Sequence, residues 1–92
     1  MTSLSGQRAE PLPDDAPHVL IVDDDLKIRD LLARYLFGQG FRVTTASDAE
    51  TAQASLRGLD FDIVLLDVMM PGKSGLELAR EIKAVRDIPI CM

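Results

Sequence analysis

Carboxylates that follow apolar runs are the residues of this sequence best suited to carry chemistry. The run at 61–66 ends at Asp67, which enters the loop VMMPGKSG, and the run at 18–22 ends at three consecutive aspartates, 23–25. A buried strand that ends on an Asp holds that side chain on a rigid base at the rim of a sheet, where ligands and reactive groups usually sit. Asp67 is therefore the first candidate for a reactive residue.

The two acidic segments can form one metal site. If the runs before them are neighbouring parallel strands, their carboxyl ends lie side by side, and three or four carboxylates from Asp67 and the acidic triplet 23–25 converge in one pocket. Hard oxygen ligands in this number suit Mg²⁺, which binds a few carboxylates and keeps water or phosphate oxygens in its other positions. Clustered carboxylates repel one another when no cation is bound, so we expect magnesium dependence.

Several residues of the loop after Asp67 are expected to shape its backbone and not to take part in chemistry. Pro71 is expected to fix a turn, and Gly72 and Gly75 are expected to adopt backbone angles closed to other residues. Lys73 is expected to lie in solvent.

Strand and helix patterns alternate along the chain. Apolar or alternating runs at 18–22, 41–45, 61–66 and 88–92 predict four strands, and the segments between them have helical periodicity. Such alternation implies an α/β fold with a parallel sheet, right-handed crossovers and helices on both faces. We therefore predict a three-layer α/β/α fold with three strand-helix units and the start of a fourth strand.

The predicted helices have start and stop signals. Asp25 is expected to cap the first helix, and Ser47 with Glu50 is expected to form a capping box for the second. Gly38 and Gly58 are expected to end these helices. The apolar residues whose spacing predicts the three helices are Ile28, Leu31, Leu32, Tyr35 and Leu36, then Ala49, Ala52 and Leu56, then Leu76, Leu78, Ala79, Ile82 and Val85.

Size and charge limit the class of protein. The chain has 92 residues, of which 47% are hydrophobic and 27% charged, as expected for one small globular domain. The net charge of -5 argues against nonspecific nucleic-acid binding, which needs clustered Lys and Arg. Residues 1–17 are polar and rich in proline and predict a disordered tail, which leaves 18–92 as the domain.

The cellular compartment is expected to be the cytoplasm. The single cysteine, Cys91, excludes an internal disulfide and fits a reducing environment. No apolar run approaches the roughly 20 residues that span a bilayer, so no membrane contact is expected. The single histidine, His18, stands at a strand entrance and is expected to be structural.

Taken together, these residues resemble the receiver domain of bacterial two-component response regulators. The matching parts are the acidic pair Asp23 and Asp24 after the first strand, Asp67 after the third, and the loop residues Met70, Pro71, Gly72 and Gly75. The residues around Asp67 and the run 25–32 look most like those of the subgroup whose output is a winged-helix DNA-binding domain. The resemblance extends from residue 18 to residue 92.

The resemblance implies a fold, a reaction and partners. The fold would be flavodoxin-like, with strand order 2-1-3-4-5. Asp67 would be the phosphoacceptor, Asp23 and Asp24 would hold the Mg²⁺ with Asp67, and the backbone carbonyl of Met69 would complete the metal site. A sensor histidine kinase would donate the phosphoryl group, and the full-length protein would regulate transcription through an output domain. Such a chain assists its own phosphorylation and is not expected to be an enzyme.

The resemblance covers only part of the family domain. Receivers have five strand-helix units, with a Ser or Thr at the end of the fourth strand and a Lys at the end of the fifth, and no residue of this chain can fill either role. An incomplete receiver that only binds a partner, or that forms a homodimer, is therefore an alternative. A magnesium-dependent phosphatase is less favoured, because the second Asp that it needs two residues after the nucleophile is replaced by Met69.

Overall fold

Strands and helices alternate through the whole part of the chain that the structure describes. The computed structural model describes residues 12–70, 72 and 74–92. The elements are β1 (His18–Val22), α1 (Leu26–Gly38), β2 (Arg42–Ala46), α2 (Ala49–Gly58), β3 (Ile63–Leu66), α3 (Gly75–Val85) and β4 (Ile90–Cys91).

The four strands form one parallel sheet in the order β2-β1-β3-β4. The predicted adjacency of the first and third strands is confirmed, and Val22 at the end of β1 pairs with Ala46 on one side and Leu66 on the other. This register brings the carboxyl ends of three strands to one level. The segments that follow β1 and β3 therefore leave the sheet next to each other.

Helices cover both faces of the sheet, which confirms the predicted three layers. Alternate residues of β1 point to opposite sides. On one side Leu20 and Val22 pack with α2 and α3, and on the other side Val19 and Ile21 pack with α1. The central strand β1 is buried along its whole length, whereas β3 alternates between buried and half-buried residues. The expectation that β3 is buried on both faces is therefore only partly confirmed.

The apolar residues that predicted α1 do not all face the sheet. Leu32 and Leu36 pack with the buried Ala33 against β1. Three others, Ile28, Leu31 and Tyr35, are 47%, 68% and 62% exposed. Residues spaced by three and four cover a wide arc of a helix, and one sheet face contacts only part of that arc.

The helix caps differ from the prediction at α2. The N-cap is Asp48, whose carboxylate accepts the Thr51 N–H (2.7 Å), so the predicted Ser47 and Glu50 capping box is wrong. Hydrogen bonds from the backbone and the side chain of Thr51 are the main cause that lowers the pKa of Asp48. A capping box is present instead at α3, where the Ser74 hydroxyl accepts the Glu77 N–H (3.2 Å) and the Glu77 carboxylate accepts the Ser74 N–H (3.3 Å).

Several element ends also differ. The strand predicted at 41–45 begins one residue later, and the strand predicted at 88–92 is reduced to Ile90–Cys91. The C-cap of α1 is Gln39 rather than Gly38, and the following Gly40 has a φ of 100°, which permits the turn into β2.

The segment before β1 is partly described. Ala16 is buried, its N–H donates to the Pro13 carbonyl (3.1 Å), and its own carbonyl accepts a hydrogen bond from the Arg42 side chain (2.8 Å). Ordered contacts therefore precede β1 within the predicted tail, of which residues 1–11 lie outside the described part. None of the described helices has the length and hydropathy needed to cross a bilayer.

His18 is a buried polar residue at the amino end of β1, opposite the carboxyl ends of the strands. Its Nδ1 lies 3.0 Å from the Asp60 carbonyl oxygen and its Nε2 lies 2.7 Å from the Thr44 hydroxyl. A carbonyl can only accept, so Nδ1–H donates to Asp60 and neutral Nε2 accepts from Thr44. The ring also packs on Phe61. His18 thus joins β1 to residues next to both neighbouring strands.

We predict that acid destabilises the fold through His18. Burial is the main cause that lowers the pKa of His18 below 6.5, and Arg42 lowers it further, whereas the Asp60 carbonyl and Asp62 raise it in part. A neutral histidine in the folded state gives stability that is complete above pH 6.5 and is lost as the pH falls through that value. Between pH 7.5 and pH 5.5 the parent should therefore lose more free energy of unfolding than His18→Gln, as measured by urea unfolding at both pH values.

The comparison isolates one group, because His18 is the only histidine of the chain. The His18→Gln variant should also be less stable than the parent at pH 7.5 by about 1–3 kcal/mol, since the hydrogen-bonding partners of the ring are incompletely satisfied. Equal pH dependence in the two proteins would show that His18 does not contribute.

Candidate functional site

The register of β1 against β3 brings the acidic residues together. The Asp67 N–H donates to the Val22 carbonyl (2.9 Å), and the Asp23 N–H donates to the Ala46 carbonyl (3.1 Å), so each residue continues the sheet hydrogen bonding past the strand end. Asp23, Asp24 and Asp67 each offer one carboxylate oxygen, and these three atoms lie within 4.8 Å of one another. The predicted convergence of the three side chains is present in the structure.

Asp25, the third residue of the acidic triplet, has a different role. Its carboxylate accepts the N–H groups of Lys27 (2.9 Å) and Ile28 (3.2 Å), which makes it the predicted N-cap of α1. Its own N–H donates to the Asp23 carboxylate (2.9 Å). Asp25 therefore anchors the loop to the helix and orients Asp23, while the cluster of carboxylates consists of Asp23, Asp24 and Asp67.

The carboxylate of Asp67 is oriented by the loop that follows β3. Its Oδ1 accepts the Met69 N–H (3.0 Å), and the Met69 side chain is 83% exposed. The Met69 peptide thus lies directly beside the cluster. The role of the Met69 carbonyl as a metal ligand stays a prediction.

Glycines shape the rest of this loop for two different reasons. Gly72 has a φ of 77°, as predicted, whereas Gly75 begins α3 without a positive φ, so the predicted reason for Gly75 is wrong. A Cβ on Gly75 would lie 2.3 Å from the Asp67 carbonyl oxygen and 2.6 Å from the Val68 Cα. The residue is needed because the start of α3 packs directly against the backbone of Asp67. Pro71 and Lys73 lie outside the described residues.

Arg29 is a residue of the site that the sequence patterns did not reveal. It lies in the first turns of α1, and its Nη1 donates to the Asp23 backbone carbonyl (2.8 Å). A basic residue six positions after an acidic loop residue is too common a pattern to predict this contact.

The geometry of the cluster fits a small hard cation. Three carboxylate oxygens within 4.8 Å can bind one divalent ion, and the exposed Asp24 leaves the site open to solvent and to a ligand. Like charges near this distance repel by about 1–4 kcal/mol per pair, depending on the effective dielectric constant. Binding of Mg²⁺ by Asp23, Asp24 and Asp67 would remove that repulsion.

Comparison with known proteins identifies the family. The model of the response regulator receiver domain matches residues 19–92. The chain belongs to the response regulator receiver family. It is 49% identical over 76 residues to protein PetR of Rhodobacter capsulatus and 43% identical over 81 residues to the transcriptional regulatory protein AruR of Pseudomonas aeruginosa. In each case the match covers 83% of this chain, but only 32% of PetR and 33% of AruR.

Solved receivers have the same fold. The response regulator TrrA of Thermotoga maritima, in complex with Mg²⁺-BeF, superposes with a TM-score of 0.75 at 41% identity, over 80% of this receiver and 65% of that chain. TrrA in complex with the histidine kinase ThkA gives a TM-score of 0.76 at 40% identity, with the same coverage. The receiver described here thus shares the flavodoxin-like sheet order of these proteins over most of its length.

We predict that Asp24→Asn raises the stability of the receiver without metal and reduces the stabilisation that Mg²⁺ gives. In EDTA the variant should unfold at a higher temperature than the parent, because one like charge has left the cluster. In Mg²⁺ it should gain less stability than the parent, because a cation that binds only the folded state stabilises according to its affinity. Thermal unfolding with and without Mg²⁺ measures both effects.

An exposed aspartate outside the cluster, Asp87, supplies the control. Asp87→Asn removes the same charge and should retain the full stabilisation by Mg²⁺. If Asp24→Asn and Asp87→Asn respond alike, the cluster is not the metal site.

We also predict that Gly75→Ala destabilises the receiver by about 1–3 kcal/mol, because the added methyl group overlaps the Asp67 backbone and forces it to move. Gly58→Ala is the matched control, since a Cβ there meets nothing within 4 Å. That variant should be neutral or up to about 1 kcal/mol more stable. Urea unfolding of both variants in EDTA checks the prediction, and an equally mild effect at both positions would contradict it.

Proposed function

We propose that this receiver accepts a phosphoryl group on Asp67 in a Mg²⁺-dependent reaction and thereby acts as a two-component switch. The observation that carries the proposal is the convergence of Asp23, Asp24 and Asp67 at the carboxyl ends of adjacent strands. Phosphoryl transfer depends mainly on positioning and on neutralisation of charge, and this cluster provides for both.

Asp67 acts as the nucleophile in this reaction. One of its carboxylate oxygens attacks the phosphorus of the donor, an O–P bond forms, and the bond from phosphorus to the leaving group breaks, which gives an acyl phosphate. The Met69 N–H on Oδ1 and the Val22 carbonyl on the Asp67 N–H hold the attacking group in one orientation.

Asp23 and Asp24 would hold the metal together with Asp67, and the Met69 carbonyl would complete the set. Bound Mg²⁺ would neutralise the charge on the carboxylates and on the phosphoryl oxygens, which otherwise repel each other as anions. The Mg²⁺-BeF complex of TrrA supports Mg²⁺ as the cation. The chain is itself phosphorylated and later dephosphorylated, so it is a phosphoacceptor and not an enzyme in the usual sense.

The phosphoryl donor is a sensor histidine kinase, by analogy with the TrrA–ThkA complex. The side chains of Ile28, Leu31 and Tyr35 leave an exposed apolar surface on the helix that follows the acidic loop, where a protein partner can pack. The output is transcription regulation through a DNA-binding domain, as the name of AruR suggests, in a cytoplasmic protein. The winged-helix class of that domain and formation of a homodimer remain predictions.

Two other functions compete with this proposal. A partner-binding module without phosphorylation would use the same apolar surface and leave Asp67 unmodified. A phosphatase would need an acid or base two residues after Asp67, where the exposed Met69 has no group that transfers protons. The lack of such a group on Met69 argues against the phosphatase.

Incubation with acetyl phosphate and Mg²⁺, followed by intact-mass analysis, tests the proposal. The parent chain and Asp87→Asn should each gain one alkali-labile phosphoryl group, and Asp67→Asn should gain none. EDTA should prevent the gain in every protein.

Modification of Asp67→Asn would assign the reaction to another residue. A parent chain that is folded and binds Mg²⁺ but gains no phosphoryl group would favour the partner-binding module.

A further inference from the structure

The side chain of Arg29 reaches back from α1 to the acidic loop. Its Nη1 donates to the Asp23 backbone carbonyl (2.8 Å), while its backbone N–H donates to the Asp25 carbonyl (2.9 Å). The side chain is half-buried and borders a groove between α1 and β2. Arg29 therefore contacts the loop that carries two of the three carboxylates without joining their cluster.

The carbonyl that Arg29 binds belongs to the peptide between Asp23 and Asp24. Asp23 is held at two further points, because its N–H donates to the Ala46 carbonyl (3.1 Å) and its carboxylate accepts the Asp25 N–H (2.9 Å). Rotation of this peptide would change the direction in which the Asp24 side chain leaves the loop. The bond from Arg29 is the contact that fixes its carbonyl.

The charge of Arg29 is directed to a backbone group rather than to a carboxylate. Its neighbour Asp30 pairs with Arg34 (3.1 Å), and Arg29 has no ion pair within the part of the chain that the structure describes. A charged donor makes a stronger hydrogen bond to a carbonyl than a neutral donor does. The guanidinium also places a positive charge next to the loop that carries two of the three carboxylates.

We propose that Arg29 is a positioning residue that holds the peptide between Asp23 and Asp24 so that both carboxylates meet Asp67, and that it thereby sets the affinity of the cluster for Mg²⁺. This inference rests on the proposed function, because the cation is the one proposed there. Changes to residues that orient metal ligands typically weaken metal affinity by about 10–100-fold, and we expect Arg29→Met to do the same.

Amide NMR of the 92-residue chain during titration with Mg²⁺ tests the inference. Arg29→Met keeps an apolar stem but removes the donor, whereas Arg29→Lys keeps a charged donor without the planar fork. Arg34→Met removes the same charge from the same helix and is the matched control. Mg²⁺ affinity should fall by about 10–100-fold in Arg29→Met, by less in Arg29→Lys, and by less than about twofold in Arg34→Met.

Hydrogen exchange in EDTA separates positioning from general stability. The Asp25 N–H donates to the Asp23 carboxylate, so it should exchange faster in Arg29→Met than in Arg34→Met when both are compared with amides of β1 in the same sample. A residue that only stabilised the fold would lower the unfolding temperature and leave the Mg²⁺ affinity of the folded protein unchanged.

Several outcomes would overturn the inference. Equal weakening in Arg29→Met and Arg34→Met would show that only net charge matters, and parent-like affinity in Arg29→Met would show that the contact is dispensable. If Arg29→Met does not fold, Arg29→Gln decides the question, because its shorter, neutral side chain does not replace the charged donor: a loss of about threefold or more supports positioning, and parent-like affinity refutes it. Failure of the parent to bind Mg²⁺ would overturn the metal part of the proposed function as well, whereas a parent that binds Mg²⁺ while Arg29→Met is unaffected refutes only this inference.

Discussion

The parallel pairing of β1 with β3 is the constraint on which the rest of the structure depends. Because Val22 pairs with Leu66 and its carbonyl accepts the Asp67 N–H (2.9 Å), residues separated by more than 40 positions become neighbours at one edge of the sheet. The strand β1 that makes this pairing is buried along its whole length, as is typical of parallel sheets that helices cover on both faces. Helices on each side of the sheet are therefore as necessary to the site as the carboxylates themselves.

The acidic cluster opposes folding locally, and the surrounding backbone offsets this effect. Three carboxylates within 4.8 Å repel one another in the absence of a cation. The N–H groups of Asp25 and Met69 donate to two of them, and Arg29 binds the adjoining peptide. The same contacts that reduce the repulsion also orient the carboxylates toward one another.

Much of the architecture and the convergence of the carboxylates at the strand ends could be predicted, whereas several local details could not. The run before Asp23 and the run before Asp67 are apolar enough to be recognised as buried strands, and alternation with helices implies that they are parallel. The cap of α2 was assigned wrongly because Ser47 and Asp48 are both good caps, and backbone conformation alone decides between them. The predicted reason for Gly75, its backbone angles, is wrong because the observed reason is a contact with the backbone of Asp67. These two residues are eight positions apart, so no local pattern reveals the contact.

The sequence by itself determined the order of strands and helices, the positions of the carboxylates at strand ends and the resemblance to receivers, because these properties depend on local spacing and residue type. The tertiary structure decided which face of α1 contacts the sheet, how closely Asp23, Asp24 and Asp67 approach, and that Arg29 binds the Asp23 carbonyl. These features depend on the register of strands and on the packing of a helix against them. No local pattern encodes such distances, because they arise only when the distant segments pack together.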